Sequence, residues 1–444
     1  MAFCFFMPIF EKPNTERKPI MLKEKIANKL KSQQIRNFMI YGFGQAVNLV
    51  SPLLIIPYII VVCGEEGLGK VGVGFSFALI AIVLVDYGSY INGTKEISIN
   101  NSDKAVLEDK FVNIYFSKFL LLLIVLLFCA VIIFVIPFFA KDKIQFLLSL
   151  TIVVGQFVNP TWFFQGIQNF KWISIINVLS KLIYIVCVFL FIKSPQDYIY
   201  INLFLGLGLI TASFLGLIWI FNHYSFSLKS ASFPKALYLI QHEFTLTVSQ
   251  LFFSLYQYAP IMLISYVGGD FMAGQYRIVD QIIMIFRTYF QMFFNFSYAD
   301  VCLKIFKDKT DGIKTWFRYN GYNYLLVLFI LVLFAFFSSY ILHYFKVAPN
   351  DQKMSSLFII GLFIPVFMGI TFALRQLLFS FNENKSYILV TIASTIFNLL
   401  LMFVLLNTIG LEGSFISTII VELFIIMVYI FILKPHIFVK KSNT

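Results

Sequence analysis

Four basic residues lie inside long apolar stretches of the sequence, where a charge is costly; they are Lys181, Arg277, Arg287 and Arg375. An uncompensated charge at the centre of a bilayer costs at least about 2.5–3.5 kcal/mol. The chain has six arginines against 28 lysines, yet arginine holds three of these four positions. The planar guanidinium fork matches phosphate oxygens and burial does not neutralise it, so the pattern favours binding of a phosphate-bearing substrate.

Structural alternatives exist for these cations. Arg277 can pair with Asp280, three residues later on the same helix. Arg375 lies toward one end of its apolar stretch and can reach the interface by snorkelling, and the role of Lys181 stays open. Arg287 lies near mid-span without an acidic neighbour on its own helix, which makes it the strongest substrate-binding candidate.

Polar side chains recur every three or four residues along three of the apolar segments. The candidate substrate-binding residues on these stripes are Gln45, Asn48, Gln250, Gln257, Gln281 and Gln291. In lipid, such side chains must face protein or water. Hydrogen bonds between helices would explain one or two polar residues per helix. Longer stripes predict a hydrated cavity.

Acidic residues in or beside the apolar segments are candidates for gating or ion coupling. Together with neighbouring Lys95, these candidates are Asp86, Glu96, Glu243, Asp280 and Glu422. We expect Asp86 and Glu96 to pair with basic residues of the facing half and to bias a conformational equilibrium. Asp86, Glu243 and Glu422 could each carry a coupling proton or serve as a salt-bridge partner, and Asp86 or Glu422 is the alternative structural partner for Arg287.

The composition identifies the class of protein. Apolar residues make up 59% of the chain and charged residues 13%, and the mean hydropathy is +0.85. Soluble proteins have about 45–50% apolar and about 25% charged residues. The chain is therefore an integral membrane protein, which excludes a soluble enzyme. In such a protein the net charge of +12 reflects orientation in the membrane rather than nucleic-acid binding.

The five cysteines lack metal-ligand spacing, so we expect no disulfide, metal site or cofactor.

About twelve apolar segments are long enough to cross a hydrocarbon core about 30 Å thick. They lie near 37–62, 69–91, 115–139, 144–166, 172–193, 199–222, 237–267, 271–299, 321–345, 355–381, 386–408 and 412–433. The sequence thus predicts an all-α membrane protein with an N-terminal half at 37–222, a linker at 223–236 and a C-terminal half at 237–434. A basic segment at 1–36 and a tail at 435–444 flank them. The basic segment lacks the order of a signal peptide, and Met21 is an alternative start.

Charge asymmetry sets the expected orientation. With this topology, 24 of the 34 lysines and arginines fall on one side of the membrane and six on the other, with Lys118 counted among the loop residues of the first side. Because basic residues accumulate on the cytoplasmic side, both termini are expected to be cytoplasmic.

Two short segments resemble a known family. They are Asp86-Tyr87-Gly88, followed by Thr94-Lys95-Glu96-Ile97-Ser98, and Pro160-Thr161-Trp162-Phe163-Phe164-Gln165-Gly166. With Gly410, Gly413 and Glu422 near the last span, they resemble O-antigen repeat-unit flippases of the Wzx type. These belong to the multidrug/oligosaccharidyl-lipid/polysaccharide exporter superfamily. The similarity extends from about 35 to 435, and Lys95 departs from the arginine more usual there.

The resemblance implies two six-helix bundles around a central V-shaped cavity. It implies a flippase, not an enzyme, that moves undecaprenyl-diphosphate-linked O-antigen or related repeat units to the periplasmic leaflet of the bacterial inner membrane by alternating access. Coupling to protons or sodium ions, as in an antiporter, and contact with polysaccharide assembly proteins are further expectations.

Other functions stay open on the sequence alone. A multidrug exporter of the same superfamily is the nearest alternative, although cationic drugs call for an acidic cavity. A membrane O-antigen polymerase or glycosyltransferase would need a larger outward loop than 346–354. A structural scaffold in an export complex would not need charged stripes.

The predicted orientation can be tested with a reporter that is active only in the periplasm. We expect activity when it is fused at Lys346 and silence when it is fused at Lys309. The reverse pattern would show that the orientation is wrong.

Overall fold

The computed structural model describes residues 20–101, 103–349 and 351–438. Most of the predicted basic segment 1–36, as residues 1–19, and residues 439–444 of the tail lie outside this part. Fifteen α-helices and no strands occur in the described residues. The helices are α1 (Ile20–Asp86), α2 (Thr94–Ile99), α3 (Lys104–Val135), α4 (Pro137–Ala140), α5 (Lys143–Val158), α6 (Thr161–Gly166), α7 (Phe170–Phe191), α8 (Ile201–Tyr224), α9 (Phe233–His242), α10 (Phe244–Lys307), α11 (Lys309–Phe336), α12 (Ser338–Tyr344), α13 (Gln352–Ser380), α14 (Asn384–Ile409) and α15 (Glu412–Phe438).

The described residues contain ten helical segments that are long and apolar enough to cross a membrane. This confirms the predicted class, an all-α integral membrane protein. Two of the ten, Gly42–Asp86 and Phe244–Lys307, are 45 and 64 residues long, well beyond the roughly 20 residues that one crossing needs. Each contains a glycine with non-helical backbone angles, Gly64 at φ 74° and Gly269 at φ 83°. The predicted number of twelve spans stays a prediction.

The chain reverses direction within α10. The Gln257 side-chain nitrogen lies 3.6 Å from the Met284 sulfur, although 27 residues separate them. A straight helix would hold these residues about 40 Å apart at about 1.5 Å per residue. Gly269 provides the positive φ that most side chains disfavour, and the turn brings Gln257 of one arm against Met284 of the other.

Contacts divide the chain into two compact units that are not continuous in sequence. Unit 1 comprises residues 1–52, 81–191 and 200–247, and unit 2 comprises 53–80, 192–199 and 248–444. The predicted division into 37–222 and 237–434 stays a prediction.

Unit 1 is held by close packing of α5, α7 and α8 and by an aromatic cluster. Trp162, Phe163 and Phe164 of α6 are almost fully buried. Phe111 of α3 stacks on Trp162 with ring centroids 5.9 Å apart. The segment that carried the family resemblance therefore serves as the core of this unit.

Unit 2 packs α13 against α15 and α15 against α14. Leu377, Val421 and Leu433 are fully buried in the shared apolar core. This packing fixes the faces of α13 and α15 that carry Arg375 and Glu422.

Gly206 is required where α8 crosses α5. A Cβ at this position would lie 2.6 Å from the carbonyl carbon of Thr151 and 2.7 Å from the nitrogen of Ile152. We predict that Gly206→Ala lowers the melting temperature, because overpacking costs about 1–3 kcal/mol. Gly321→Ala in α11 is the matched control, since a Cβ there meets nothing within 4 Å. Equal melting temperatures for the two variants would contradict this packing.

Candidate substrate-binding cavity

A cavity lies inside unit 2, among α10, α13, α14 and α15. Its empty volume is about 560 Å³ when its open mouth is included. The polar lining residues are Tyr256, Gln257, Arg287, Thr371, Arg375, Tyr387, Thr391, Ser394, Glu422 and Tyr429. Two of the four predicted intramembrane cations therefore share one cavity with one predicted acid. The structure brings together residues that are 135 positions apart in the sequence, from Arg287 to Glu422.

Arg375 is held in one orientation by aromatic rings. Its guanidinium carbon lies 4.0 Å from the ring centroid of Phe372 and 4.8 Å from that of Phe294. One terminal nitrogen donates a hydrogen bond of 3.0 Å to the side-chain oxygen of Gln291. The Nε–H group is buried and finds no acceptor among the described residues. Because leaving a buried donor unpaired is costly, this group is poised for an additional acceptor such as a ligand oxygen.

Arg287 is half-buried at the lining of the same cavity. One terminal nitrogen lies 3.0 Å from the Met284 sulfur, a weak acceptor. Within the described part of the chain, Arg287 makes no ion pair with a carboxylate. Within unit 2, the expected alternative of a direct pair with Glu422 is therefore not formed by the described residues. Most N–H groups of this guanidinium therefore have no acceptor among the described residues.

Glu422 is buried on α15, with 3% of its surface exposed. The hydroxyl of Tyr256 donates to one carboxylate oxygen at 2.8 Å, and that of Thr371 donates to the other at 2.6 Å. Both partners are neutral. Arg287 and Arg375 line the same cavity as this carboxylate.

These charges make the cavity suitable for an anion. Its lining contains two guanidiniums and one carboxylate, so the lining carries a net positive charge of one unit with all three ionised. A cationic ligand would meet two permanent positive charges and a carboxylate already engaged by hydroxyl groups. An anionic ligand would find charged donors in a partly desolvated space, where electrostatic attraction is stronger than in water.

Arg277 forms the local ion pair expected from the sequence. Its guanidinium lies 3.0 Å from the carboxylate of Asp280, and both side chains are largely buried. The ring of Phe75 lies 5.6 Å from the guanidinium carbon. The residues that line the cavity include neither Arg277 nor Asp280. The charge of Arg277 is thus neutralised locally, which favours the structural alternative.

The remaining polar candidates divide between the two units. Gln257 lines the cavity, and Gln291 contacts it through Arg375. Gln250 and Gln281 also belong to unit 2 but do not line the cavity. Gln45, Asn48 and Lys181 belong to unit 1, where Lys181 lies 5.9 Å from the ring centroid of Tyr184.

Asp86 and Glu96 find basic partners inside unit 1, on α3, rather than in the facing half. Asp86 lies 2.9 Å from the ammonium group of Lys118, which is 1% exposed. The side chain of Gln156 donates a second bond to Asp86 at 2.8 Å. Glu96 lies 2.9 Å from Lys110, and both are more than a third exposed. Counting Lys118 as a loop residue was wrong, because α3 begins at Lys104 and buries it.

Glu243 takes part in a separate network of unit 1. It is buried between the end of α9 and the start of α10, accepts a bond of 2.5 Å from the amide of Asn92, and lies 3.2 Å from a ring nitrogen of His242. Lys95, the other candidate of this region, is exposed. These contacts connect α9 and α10 to the π-helical turn at Ser89–Gly93.

Several residues of the cavity lining were not predicted from the sequence, although the helical spacing could have indicated some of them. Thr371 lies one turn before Arg375, so their shared helical face was readable from the spacing. Tyr256 lies beside Gln257 but off the polar stripe, and only the tertiary fold shows that its hydroxyl meets Glu422.

Comparison with known proteins identifies the family. The model of a family described as "Polysaccharide biosynthesis protein" matches residues 35–298, more than half of the chain. The chain belongs to this family. The expected resemblance is thus confirmed at the level of the family, and the match includes both short segments that carried it.

Two curated relatives carry the description "Putative O-antigen transporter". The one from Escherichia coli (strain K12) is 24% identical over 247 residues, covering 56% of this chain and 60% of its own. The one from Shigella dysenteriae is 19% identical over 252 residues, covering 56% of this chain and 62% of its own. The chain thus spans about three fifths of the length of the curated relatives it matches. Both relatives are described as transporters, not enzymes.

Solved structures of transporters share the fold. An inward-facing multidrug resistance MATE family transporter of the MOP superfamily has a TM-score of 0.68 at 14% identity, covering 89% of this chain and 96% of its own. A MOP superfamily transporter from Pyrococcus furiosus has a TM-score of 0.57 at 14% identity, and the match covers 90% of this chain and 95% of its own. The multidrug transporter DinF-BH has a TM-score of 0.59 at 17% identity, and the match covers 97% of this chain and 100% of its own. At these identities the likeness concerns the fold alone.

The pair of Asp86 and Lys118 generates a stability prediction. Asp86→Asn leaves a buried ammonium group without its counter-charge, and breaking a buried pair in this way costs about 3–5 kcal/mol. We expect a lower melting temperature and lower abundance, both recovering when Lys118→Met is added. Glu96→Gln is the matched control, since an exposed pair contributes about 0–1 kcal/mol. Equal melting temperatures for Asp86→Asn and Glu96→Gln would contradict a structural role of the buried pair.

Proposed function

We propose that the protein is a flippase for undecaprenyl-diphosphate-linked O-antigen or related repeat units. It moves them from the cytoplasmic to the periplasmic leaflet of the bacterial inner membrane by alternating access, coupled to an ion gradient. Both termini are cytoplasmic in this proposal, and two six-helix bundles alternate around the substrate. The descriptions of the curated relatives support the class of substrate.

The observation that carries the proposal is the pair of arginines in one cavity. Among the described residues, the buried Nε–H of Arg375 finds no acceptor, and the donors of Arg287 make one weak contact, to the sulfur of Met284. A diphosphate group has several oxygens that accept charge-assisted hydrogen bonds. Two guanidiniums supply enough donors to hold it, whereas lysines would act as point charges.

The rest of the lining suits the other parts of this substrate. Tyr387, Thr391 and Ser394 offer hydroxyl groups for sugars, and Phe253 and Phe372 offer ring faces. The prenyl chain can stay in the bilayer, so the cavity needs to enclose the polar headgroup alone. This division of the substrate matches a lining that combines charge, hydroxyl groups and aromatic surface.

Export of cationic drugs, as in the multidrug transporters that share the fold, fits the cavity less well. The one carboxylate in its lining, Glu422, already accepts bonds from Tyr256 and Thr371. A drug cation would also lie close to Arg287 and Arg375, at a cost in electrostatic repulsion.

The proposal predicts that Arg287→Ala stops the appearance of surface polysaccharide while the protein still inserts in the membrane. Charge-assisted hydrogen bonds contribute about 1.5–3 kcal/mol, which corresponds to a loss of affinity of about tenfold to a hundredfold. Arg287→Lys should recover part of the activity. The measurement is surface polysaccharide per amount of membrane-inserted protein.

Arg318→Ala is the matched control, because Arg318 is exposed near Tyr319 and lies outside the cavity lining. It should leave surface polysaccharide unchanged. Normal polysaccharide in a well-expressed Arg287→Ala strain would refute the proposed site.

A further inference from the structure

The guanidinium of Arg375 is held by side chains of two helices. The ring of Phe372, one turn earlier on α13, lies 4.0 Å from the guanidinium carbon. From α10 come the ring of Phe294 and the side-chain oxygen of Gln291, which accepts a hydrogen bond of 3.0 Å from a terminal nitrogen. An aromatic ring contacts the face of a guanidinium and does not specify where its edge points. The bond to Gln291 does specify the edge, and with it the direction of the buried Nε–H.

A second hydrogen bond fixes the amide of Gln291. Arginine has donors only, so Gln291 must present its oxygen to Arg375. The amide nitrogen then donates a bond of 3.0 Å to the side-chain oxygen of Asn295, one turn further along α10. If the amide turned over, its NH₂ group would face the guanidinium, donor against donor. Asn295 thus stabilises the orientation of Gln291 that holds Arg375.

These two amides lie behind Arg375 rather than at the cavity surface. Arg375 lines the cavity, whereas the lining residues include neither Gln291 nor Asn295. The polar stripe on α10 predicted that Gln291 binds substrate directly. In the structure this residue instead contacts a side chain of the lining.

We propose that Gln291, itself oriented by Asn295, is a positioning residue that holds Arg375 with its Nε–H directed at the diphosphate headgroup. This inference rests on the proposed function. A guanidinium that is already in place loses less conformational entropy when the ligand binds. Loss of Gln291 leaves the charge of Arg375 in the cavity and removes its fixed orientation, so binding weakens without being abolished.

A double-mutant cycle separates this role from a direct contact with the ligand. Calorimetry measures the affinity of the purified full-length protein for a short-chain prenyl diphosphate monosaccharide, and the melting temperature is recorded in parallel. Gln291→Leu should weaken binding about twofold to tenfold, the effect of one side chain that the ligand must now order. In the Arg375→Ala background, the same substitution should change the affinity by less than about twofold.

Two results would overturn the proposal. Equal losses of affinity for Gln291→Leu in both backgrounds would show that Gln291 contacts the ligand directly. A lower melting temperature with the affinity of the wild type would show a purely structural role. Tyr289→Phe is the matched control, because it removes another bond from α10 to a neighbouring helix, of 2.6 Å to Asn323, in which Arg375 takes no part. This variant should bind the probe like the wild type.

Asn295→Leu covers the case in which Gln291→Leu does not fold. It leaves Gln291 in place but removes the acceptor that fixes its amide. The affinity should fall, and the fall should disappear in the Arg375→Ala background. Unchanged affinity in Asn295→Leu would then overturn the proposal. Wild-type affinity in both Arg287→Ala and Arg375→Ala would instead overturn the proposed function, whatever the Gln291 variants show.

Discussion

Burial of charge is the constraint on which this structure depends. A charge inside a membrane protein must find a counter-charge, a strong hydrogen bond or water. Lys118 meets Asp86, and Arg277 meets Asp280, so these pairs are complete within the protein. In the cavity of unit 2 the compensation is incomplete. Among the described residues, one donor of Arg375 lacks an acceptor there, and this supports our proposal that the cavity binds an anionic ligand.

Local packing gives the cavity its rigid geometry. The guanidinium of Arg375 packs against the rings of Phe372 and Phe294, which replace water without neutralising the charge. The break of α10 at Gly269 brings Arg287 onto the same cavity as Tyr256, which precedes it by 31 residues on the other arm. Arg375 is therefore held in place by its own neighbours, which lowers the conformational entropy that this side chain would lose on binding a ligand.

The sequence predicted the class of fold well because lipid imposes simple rules on length and composition. Apolar segments of about 20 residues sufficed to predict an all-α membrane protein. Of the candidate site residues, Arg287, Arg375 and Glu422 line one cavity, and their role in binding stays a prediction. Contacts between helices distant in sequence could not be predicted, because periodicity shows which residues share one face of a helix but not which helix faces pack together. Lys118 illustrates this limit: it appeared to be a loop residue and is instead a buried partner of Asp86.

The most direct test of the central claim is a structure of the protein bound to a prenyl diphosphate saccharide. The account predicts that the two phosphate groups lie in the cavity of unit 2, with oxygens about 2.7–2.9 Å from nitrogens of Arg287 and Arg375. Glu422 should retain its contacts to Tyr256 and Thr371. A well-ordered diphosphate bound elsewhere, for example at Lys181 of unit 1, with the cavity empty, would contradict the account.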